Sequence, residues 1–281
     1  ESGACRHVLC VTGDNRLTGM SRDGAVAALA SVGHPEFEQP YGMSVPAAYA
    51  LVASAYMDRF GITRDELSAF AVAARAHAAR HPKASKTDPL TLAEVSQSRV
   101  IASPLRLLDC CLISDGAAAV IVSAADAARD TRNTVRLLGS GQAHTHEHIL
   151  AAPSLTDFGC ATSSALAFAQ AGVTTADIDL AEIYDSFTIT LLIELESIGF
   201  FTRGEAGKAA LSGAISPGGR LPVNTHGGLM SYGHSGAAGG AFHIVEAVHQ
   251  LRNEAADRQV PDAGLAFVHG DGGILSAHCS L

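Results

Sequence analysis

The stretch Val223 to Gly240 reads VNTHGGLMSYGHSGAAGG and holds six glycines and two histidines, with no carboxylate, lysine or arginine. Glycine lets backbone approach a ligand closely and adopt positive φ. Gly227, Gly228 and Gly233 would hold His234 on a tight turn just ahead of a predicted helix over 238–251. A helix N-terminus lowers the pKa of a nearby imidazole and attracts anions. A histidine kept neutral below pH 7 suits a general base. Two other readings fit the same residues. One is a phosphate cradle, although no GxGxxG or GKS/T pattern is present. The other is a glycine-rich turn with an incidental histidine.

Two more loops carry polar groups where predicted strands end, which is where sites gather in α/β folds. Tyr184-Asp185-Ser186-Phe187 lies between a strand and a helix. Asp185 or Ser186 is a natural N-cap there. Tyr184 could turn its hydroxyl into a cleft, or sit in the core with that hydroxyl satisfied. His269-Gly-Asp-Gly-Gly273 follows the last apolar run and reads as a narrow turn with a histidine at its mouth.

The elements that must position these loops follow from periodicity and capping. His7–Thr12 is a short apolar strand, followed by a loop region over 14–43 with an alanine-rich helix near Ala25–Ala30. Val45–Phe60 is a helix stopped at Gly61,. Thr63-Arg-Asp-Glu66 and Thr91-Leu-Ala-Glu94 are capping boxes, the first opening a helix to about Arg80,. Asp115-Gly116 reads as a tight turn before a strand at Ala117–Ser123, then a short helix to Arg129 and a strand at Thr134–Leu138,. A Gly/His linker covers 139–153. Helices are predicted at 160–171 and 186–198, around a strand at 177–183. Strands at 264–268 and 274–280 flank a turn at 270–273. Apolar strands alternating with helices indicate an α/β protein with sheets covered on both faces, in two sequential halves that meet near residue 140.

The chain has 281 residues, 47% hydrophobic and 17% charged, which supports a large core,. Its formal charge is −9, and no cluster of lysine and arginine appears, which argues against nucleic acid or anionic membrane as partner,. No apolar run reaches the ~18 residues of a membrane span. Six cysteines show no zinc spacing and read as reduced, cytoplasmic, buried thiols without a bound metal,. His144-Thr-His146-Glu-His148 looks like a metal tract, yet alternating histidines in a linker are ordinarily solvated,. His7, His226, His243 and His249 are read as structural or surface residues.

Taken in order, the three loops resemble the thiolase superfamily over nearly the whole chain. Asn224-Thr-His-Gly-Gly228…Gly233-His234-Ser-Gly-Ala237 is similar to the family's Asn-x-Asn-Gly-Gly…Gly-His-Pro-x-Gly-Ala motif. Asp115-Gly-Ala-Ala-Ala119 matches the strand entry that closes the first thiolase half. Pro104-Leu-Arg-Leu-Leu-Asp-Cys-Cys111 and Arg258-Gln-Val260 resemble the sterol-carrier-protein-type (lipid-transfer) branch. Tyr184 stands where most members have asparagine and that branch has histidine. Tyrosine there resembles the thiolase-like aldolases of bacterial steroid side-chain breakdown.

The resemblance implies a layered αβαβα fold with two similar halves. Residues 1–140 would be the remainder of the first half, with an inserted loop region near 14–110, and residues 141–281 the second. It implies a homodimer, an acyl-CoA substrate with coenzyme A entering only as part of it, no separate cofactor, and a small partner with an OB-fold and a zinc ribbon. The family's nucleophilic cysteine would lie upstream of Glu1, so a missing N-terminal segment is expected. The glycines would clear space for a thioester and its pantetheine arm. Tyr184 and His234 would be catalytic, supported by His269, Asn224 and Asp185. His269 stands where thiolases carry their acid/base cysteine. Gly227, Gly228, Gly233, Gly272 and Gly273 would form the substrate and oxyanion loops. Retro-aldol cleavage of a β-hydroxyacyl-CoA needs a base for the hydroxyl proton and an oxyanion site, but no thiolate. A thiolase-type acyltransferase using the upstream cysteine is the second reading, and a non-catalytic lipid- or CoA-binding scaffold the third.

Overall fold

The computed structural model describes residues 4–128 and 133–281. In chain order its elements are β1 (His7–Asn15), α1 (Arg22–Ala30), α2 (Val45–Phe60), α3 (Arg64–Ala78), α4 (Leu92–Gln97), β2 (Val100–Ala102), β3 (Leu105–Arg106) and β4 (Asp115–Ser123). There follow β5 (Gly141–His144), α5 (Cys160–Ala171), β6 (Leu180–Ile183), α6 (Thr188–Ile198), α7 (Ala206–Leu211), α8 (Gly239–Leu251), β7 (Ala266–Gly272) and β8 (Ala277–Ser280).

A four-stranded sheet in the order β5-β8-β7-β6 carries the second half of the chain. β6 pairs in parallel with β7, Ile183 opposite His269, and the other pairs are antiparallel. Parallel strands are buried on both faces, and every residue of β6 is buried, including Glu182,. Alternation along β7 aims Phe267, His269 and Asp271 to one face. On that face lie α5, where Phe168 stacks on Phe267 at 5.0 Å, and α6. α8 covers the other face, where Glu182 meets His243. The glycines at 239 and 240 open α8 and let it lie close: a Cβ on Gly239 would stand 3.0 Å from the His234 ring, and one on Gly240 3.8 Å from the Tyr184 ring.

α2 and α3 form a helical layer against α6 and α7. Their ends are where local sequence signals put them. Gly61 closes α2 at φ +67°, and Thr63 and Thr91 both complete their capping boxes,. The core runs through Tyr49, Tyr56, Phe70, Leu192 and Phe267.

Several boundaries differ from the sequence expectation. Asp115 and Gly116 are not a turn. They pair with Asn15 and Asp14, so β4 begins at Asp115 and β1 runs on to Asn15. The β1–β4 ribbon is antiparallel and not covered on both faces: Leu9, Val11 and Ile121 are more than 60% exposed. The apolar run at 134–138 is irregular and not the expected strand. The polar segment Gly141–His144, expected to be linker, is the edge strand β5. β6 is shorter than expected and is preceded by a 3-10 turn at Thr175–Asp177. α6 starts at Thr188, and Ser186 does not cap it. Gly270 to Gly272 belong to β7, which moves the hairpin turn to 273–276. The short helix expected to reach Arg129 falls partly outside the described residues.

Candidate active site

Tyr184 is the first residue beyond β6. Its N–H donates to the carbonyl of His269 (3.0 Å), which carries the sheet's hydrogen bonding one residue further. Asn224, held at φ +56°, reaches the preceding residue like a short extra strand. Its Oδ1 accepts from Ile183 N (2.7 Å), and its Nδ2 donates to Ile183 O (2.8 Å). Asn224 is thus fully engaged with backbone, and its effect on chemistry is to fix where Tyr184 begins.

The glycine-rich stretch forms a π-helical turn at Gly228–Tyr232 and delivers His234 beyond it. Its glycines meet protein rather than an open cleft. Gly227 lies at φ +107°, where a Cβ would stand 2.5 Å from that of Ala78. Gly228 lies at φ +62°, where a Cβ would stand 2.1 Å from Oδ2 of Asp185. A Cβ on Gly233 would come within 2.9 Å of Ser114 Oγ. Space for a thioester is therefore not what Gly227, Gly228 and Gly233 provide. They allow the loop to press against α3, Asp185 and the segment before β4.

Asp185 is the other anchor of the turn. Its Oδ1 accepts from Leu229 N (2.7 Å) and its Oδ2 has no partner. Full burial pushes the carboxyl up to about 7, a rise limited by the Leu229 amide. It caps no helix. Gly272 and Gly273 lie in and after β7, Gly273 turning the hairpin at φ +67°.

Tyr184 and His234 do come together. The hydroxyl lies 2.8 Å from His234 Nε2, and the rings meet edge-on at 5.9 Å. Both side chains are half-buried. Burial pushes the tyrosine far above its usual pKa, and the nearby Asp271 carboxyl adds to the rise. His234 falls to about 4, first through burial, then through the Arg16 guanidinium and His243. Burial, rather than the helix N-terminus expected from sequence, is the main cause. At pH 7 the pair is a neutral phenol beside a neutral imidazole.

His269 does not join this pair. Alternation along β7 sends its side chain to the α5/α6 face, whereas Tyr184 faces α8,. His269 Nδ1 instead bonds Ser280 Oγ (2.9 Å). His226 and His243 prove to be fully buried beside Glu182, at 3.0 and 3.5 Å from its Oε2. His243 also stands 6.3 Å, centroid to centroid, from the Tyr184 ring. Sequence reasoning missed Glu182, whose signal was an acid inside an otherwise apolar strand. It also missed Asp271 and Tyr49. The Tyr49 hydroxyl donates to Asp271 Oδ2 (2.9 Å), and burial pushes Asp271 up to about 8.

All six cysteines are free, and Cys5 and Cys10 are exposed rather than buried as expected. Burial raises the thiols of Cys110, Cys111 and Cys160, so none of these three is activated toward nucleophilic attack,. In the 144–148 tract, His146 turns inward and bonds the carbonyl of Ile274 (3.1 Å). Among the described residues no helix is long and apolar enough to cross a membrane.

Residues 141–281 match the family model for the thiolase C-terminal domain-like group. The chain is 39% identical, over 83% of its length and 61% of the relative's, to the 17-hydroxy-3-oxo-4-pregnene-20-carboxyl-CoA lyase of Mycobacterium tuberculosis. It is 38% identical, over 89% of its length and 67% of the relative's, to an acetyl-CoA acetyltransferase of Methanothermobacter thermautotrophicus. Among solved structures, an Ltp2-ChsH2(DUF35) aldolase superposes with TM-score 0.85 at 31% identity, covering 98% of this chain and 72% of that one. The chain thus spans between 61 and 72% of the length of these proteins.

Proposed function

The chain belongs to the thiolase superfamily, in its sterol-carrier-type branch, and on that premise we propose that it is a carbon–carbon lyase that cleaves a β-hydroxyacyl-CoA by retro-aldol chemistry. The observation that carries this reading is the Tyr184–His234 contact of 2.8 Å. A thiolysis site needs a thiolate, which the buried thiols of Cys110, Cys111 and Cys160 do not supply; thiolysis would rest on the family's nucleophilic cysteine, which is not one of these three,. A phenol hydrogen-bonded to an imidazole suits removal of a hydroxyl proton.

The step is balanced within the substrate and this pair. With His234 neutral and protonated on Nδ1, the Tyr184 O–H donates to Nε2 and the phenol oxygen is free to accept. The β-hydroxyl proton passes to the phenol oxygen as the phenol proton passes to Nε2. The Cα–Cβ electron pair moves onto the thioester as an enolate, and the β-carbon leaves as a ketone. The enolate α-carbon then takes back the proton held on His234 Nε2 through the Tyr184 hydroxyl, which gives a shorter acyl-CoA and restores the neutral pair. The Asp271 carboxyl, pushed up to about 8 by burial, acts on Tyr184 through its charge and is given no proton-transfer role. Coenzyme A enters only as part of the substrate, and no separate cofactor is invoked.

A steroid side chain is the proposed acyl group, in keeping with the lyase and aldolase relatives. A homodimer, with residues 1–140 and 141–281 as remainder of the first half and second half, is the proposed arrangement. A partner protein is proposed from the two-component name of the aldolase neighbour, and the family resemblance implies a small OB-fold and zinc-ribbon protein in that role. The cytoplasm, where free thiols persist, is the proposed compartment,.

The test is incubation of the purified protein, with any co-purifying partner, with a β-hydroxyacyl-CoA bearing a polycyclic tertiary alcohol. A second incubation uses acetoacetyl-CoA plus free CoA. Ketone release without CoA-dependent thiolysis supports the lyase. Thiolysis, or acyl label trapped on a cysteine, overturns it in favour of the acyltransferase reading that the acetyltransferase relative supports.

A further inference from the structure

On the face of the sheet away from Tyr184, we infer that Glu194, His269 and His278 form a binding site for a divalent transition metal of the zinc class. Three elements bring these residues together: Glu194 from the middle of α6, His269 from β7 and His278 from β8. All three are buried, with no side-chain exposure. His269 Nε2 lies 3.2 Å from His278 Nδ1 and 3.6 Å from Glu194 Oε1, and His278 Nδ1 lies 4.0 Å from the same oxygen. Donors around a tetrahedral zinc at 2.0–2.1 Å stand roughly 3.3–3.4 Å apart, so a small adjustment brings all three into range.

Hydrogen-bond accounting shows why a cation belongs there. The Ser163 hydroxyl donates to the carbonyl of Cys160 (3.1 Å). Its oxygen then accepts from Ser280 (3.0 Å), which leaves the Ser280 oxygen to accept from His269 Nδ1 (2.9 Å). His269 therefore carries its proton on Nδ1 and presents a lone pair on Nε2. His278 Nε2 donates to the carbonyl of Leu275 (3.0 Å), so its lone pair is on Nδ1. Two lone pairs then face each other at 3.2 Å, beside a carboxylate with no hydrogen-bond partner on either oxygen. A protonated Glu194 has one hydrogen to donate and would satisfy only one of the two facing lone pairs,. A metal ion would satisfy all three donors at once. The backbone carbonyl behind His278 and the hydroxyl chain behind His269 are the outer partners that orient metal-bound imidazoles.

The cluster on the opposite face differs. There Glu182 Oε1 accepts from Thr225 N (2.9 Å) and Thr225 Oγ1 (2.8 Å), and Oε2 lies 3.0 Å from His226 Nδ1. Glu182 thus has one oxygen satisfied by the protein, although its Oε2 and the rings of His226 and His243 have no hydrogen-bond partner, whereas Glu194 has neither oxygen satisfied. No sequence motif announces the Glu194 site, because its donors are 75 and 9 residues apart on three elements. A nitrogen, nitrogen and oxygen donor set suits zinc, cobalt or iron(II), with water completing the coordination.

The test loads metal-stripped protein with Co2+ and with Zn2+, removes excess by desalting, and reads the visible cobalt spectrum and bound zinc per chain. About one metal per chain is expected, with a four- or five-coordinate cobalt band. Glu194→Gln, which preserves shape, should lower affinity at least tenfold, and Glu182→Gln should not. Zinc below about a tenth per chain with no cobalt band in folded wild-type protein overturns the inference. So does metal that persists in Glu194→Gln and is lost in Glu182→Gln. Should Glu194→Gln not fold, the wild-type cobalt spectrum and the change in melting temperature on adding EDTA decide the matter alone.

Discussion

Replacing Tyr184 with phenylalanine separates chemistry from folding. The substitution deletes one oxygen, the atom 2.8 Å from His234 Nε2. The ring stays, and with it the contact over Gly240. A single hydrogen bond between half-buried groups contributes about 1 kcal/mol to stability, so the urea midpoint should scarcely move. Positioned acid–base groups contribute about 100- to 10,000-fold to rate, which is roughly 3–5.5 kcal/mol of barrier. The effect on turnover is therefore several times larger than the effect on stability, and it should appear in kcat with KM nearly unchanged, because the lost interaction acts on the reacting hydroxyl.

The pH profile adds an independent check. His234 holds its neutral form down to about 4. Above that value Nε2 accepts the phenol proton; below it Nε2 is itself protonated and cannot. Wild-type kcat/KM for a β-hydroxyacyl-CoA should be flat from about pH 5.5 to 8 and fall as the pH drops toward 4. The assay is ketone release followed by chromatography at saturating and limiting substrate. If Tyr184→Phe retains activity within about threefold, or if the acid limb lies near the ordinary histidine value of about 6.5, the paired mechanism is wrong.

Three further outcomes follow from the packing. Asn224→Ala strands the buried N–H and carbonyl of Ile183 and should cost about 2–4 kcal/mol in urea unfolding while lowering kcat; an unchanged midpoint would contradict the clamp,. Gly228→Ala drives a Cβ to 2.1 Å from Asp185 at φ +62° and should collapse soluble yield, so a normally expressed, fully active variant would contradict that packing,. His77, buried with its Nε2 donating to the Ile215 carbonyl (2.9 Å), is held at about 4 in the fold, so the unfolded chain binds the extra proton between about 6.5 and 4, and stability falls as pH falls through that window,. At pH 4.5 the cost is on the order of 2–3 kcal/mol, and His77→Gln should remove it; equal midpoint shifts for both proteins between pH 7 and 4.5 would refute it.

Helix ends were legible because their causes are local. Gly61 and the two threonine capping boxes act within a few residues, and Val45–Phe60 follows from them without reference to the rest of the chain. Strand ends were not, because pairing decides them. Asp115-Gly116 has the composition of a turn, yet β1 offers it a partner, and a ladder bond outweighs a turn preference,. The polar GQAH segment becomes an edge strand for the same reason, whereas the apolar run at 134–138 stays irregular. The loops that meet at the site were legible as motifs, including the pairing of Tyr184 with His234 across 50 residues. The side-chain parity of β7 was not, and it is parity that removes His269 from the pair and sends it to Glu194. Buried acids hid best: Glu182 and Glu194 each lie in a segment whose apolar neighbours dominate the pattern.

The glycine-rich stretch can now be given a physical purpose different from the one its composition suggested. An open, glycine-lined cleft would leave His234 on a pliable loop, and a pliable base loses the advantage of fixed geometry. Here each glycine instead marks a place where backbone touches something solid: Ala78 at Gly227, Asp185 at Gly228, Ser114 at Gly233, the His234 ring at Gly239. The loop is anchored again by the Asp185 carboxylate on Leu229 N and by the Ser114 amide on the His234 carbonyl. On the other side of the contact, Asn224 fixes the strand end that bears Tyr184. Two independently braced backbones thus set a single 2.8 Å contact between two groups that burial keeps neutral. Neutrality matters as much as distance. A charged imidazole would already hold its proton, and a phenolate would need a cation beside it. A neutral pair stores neither charge nor solvent, so the proton can move through it when the substrate hydroxyl arrives, with little reorganisation around it.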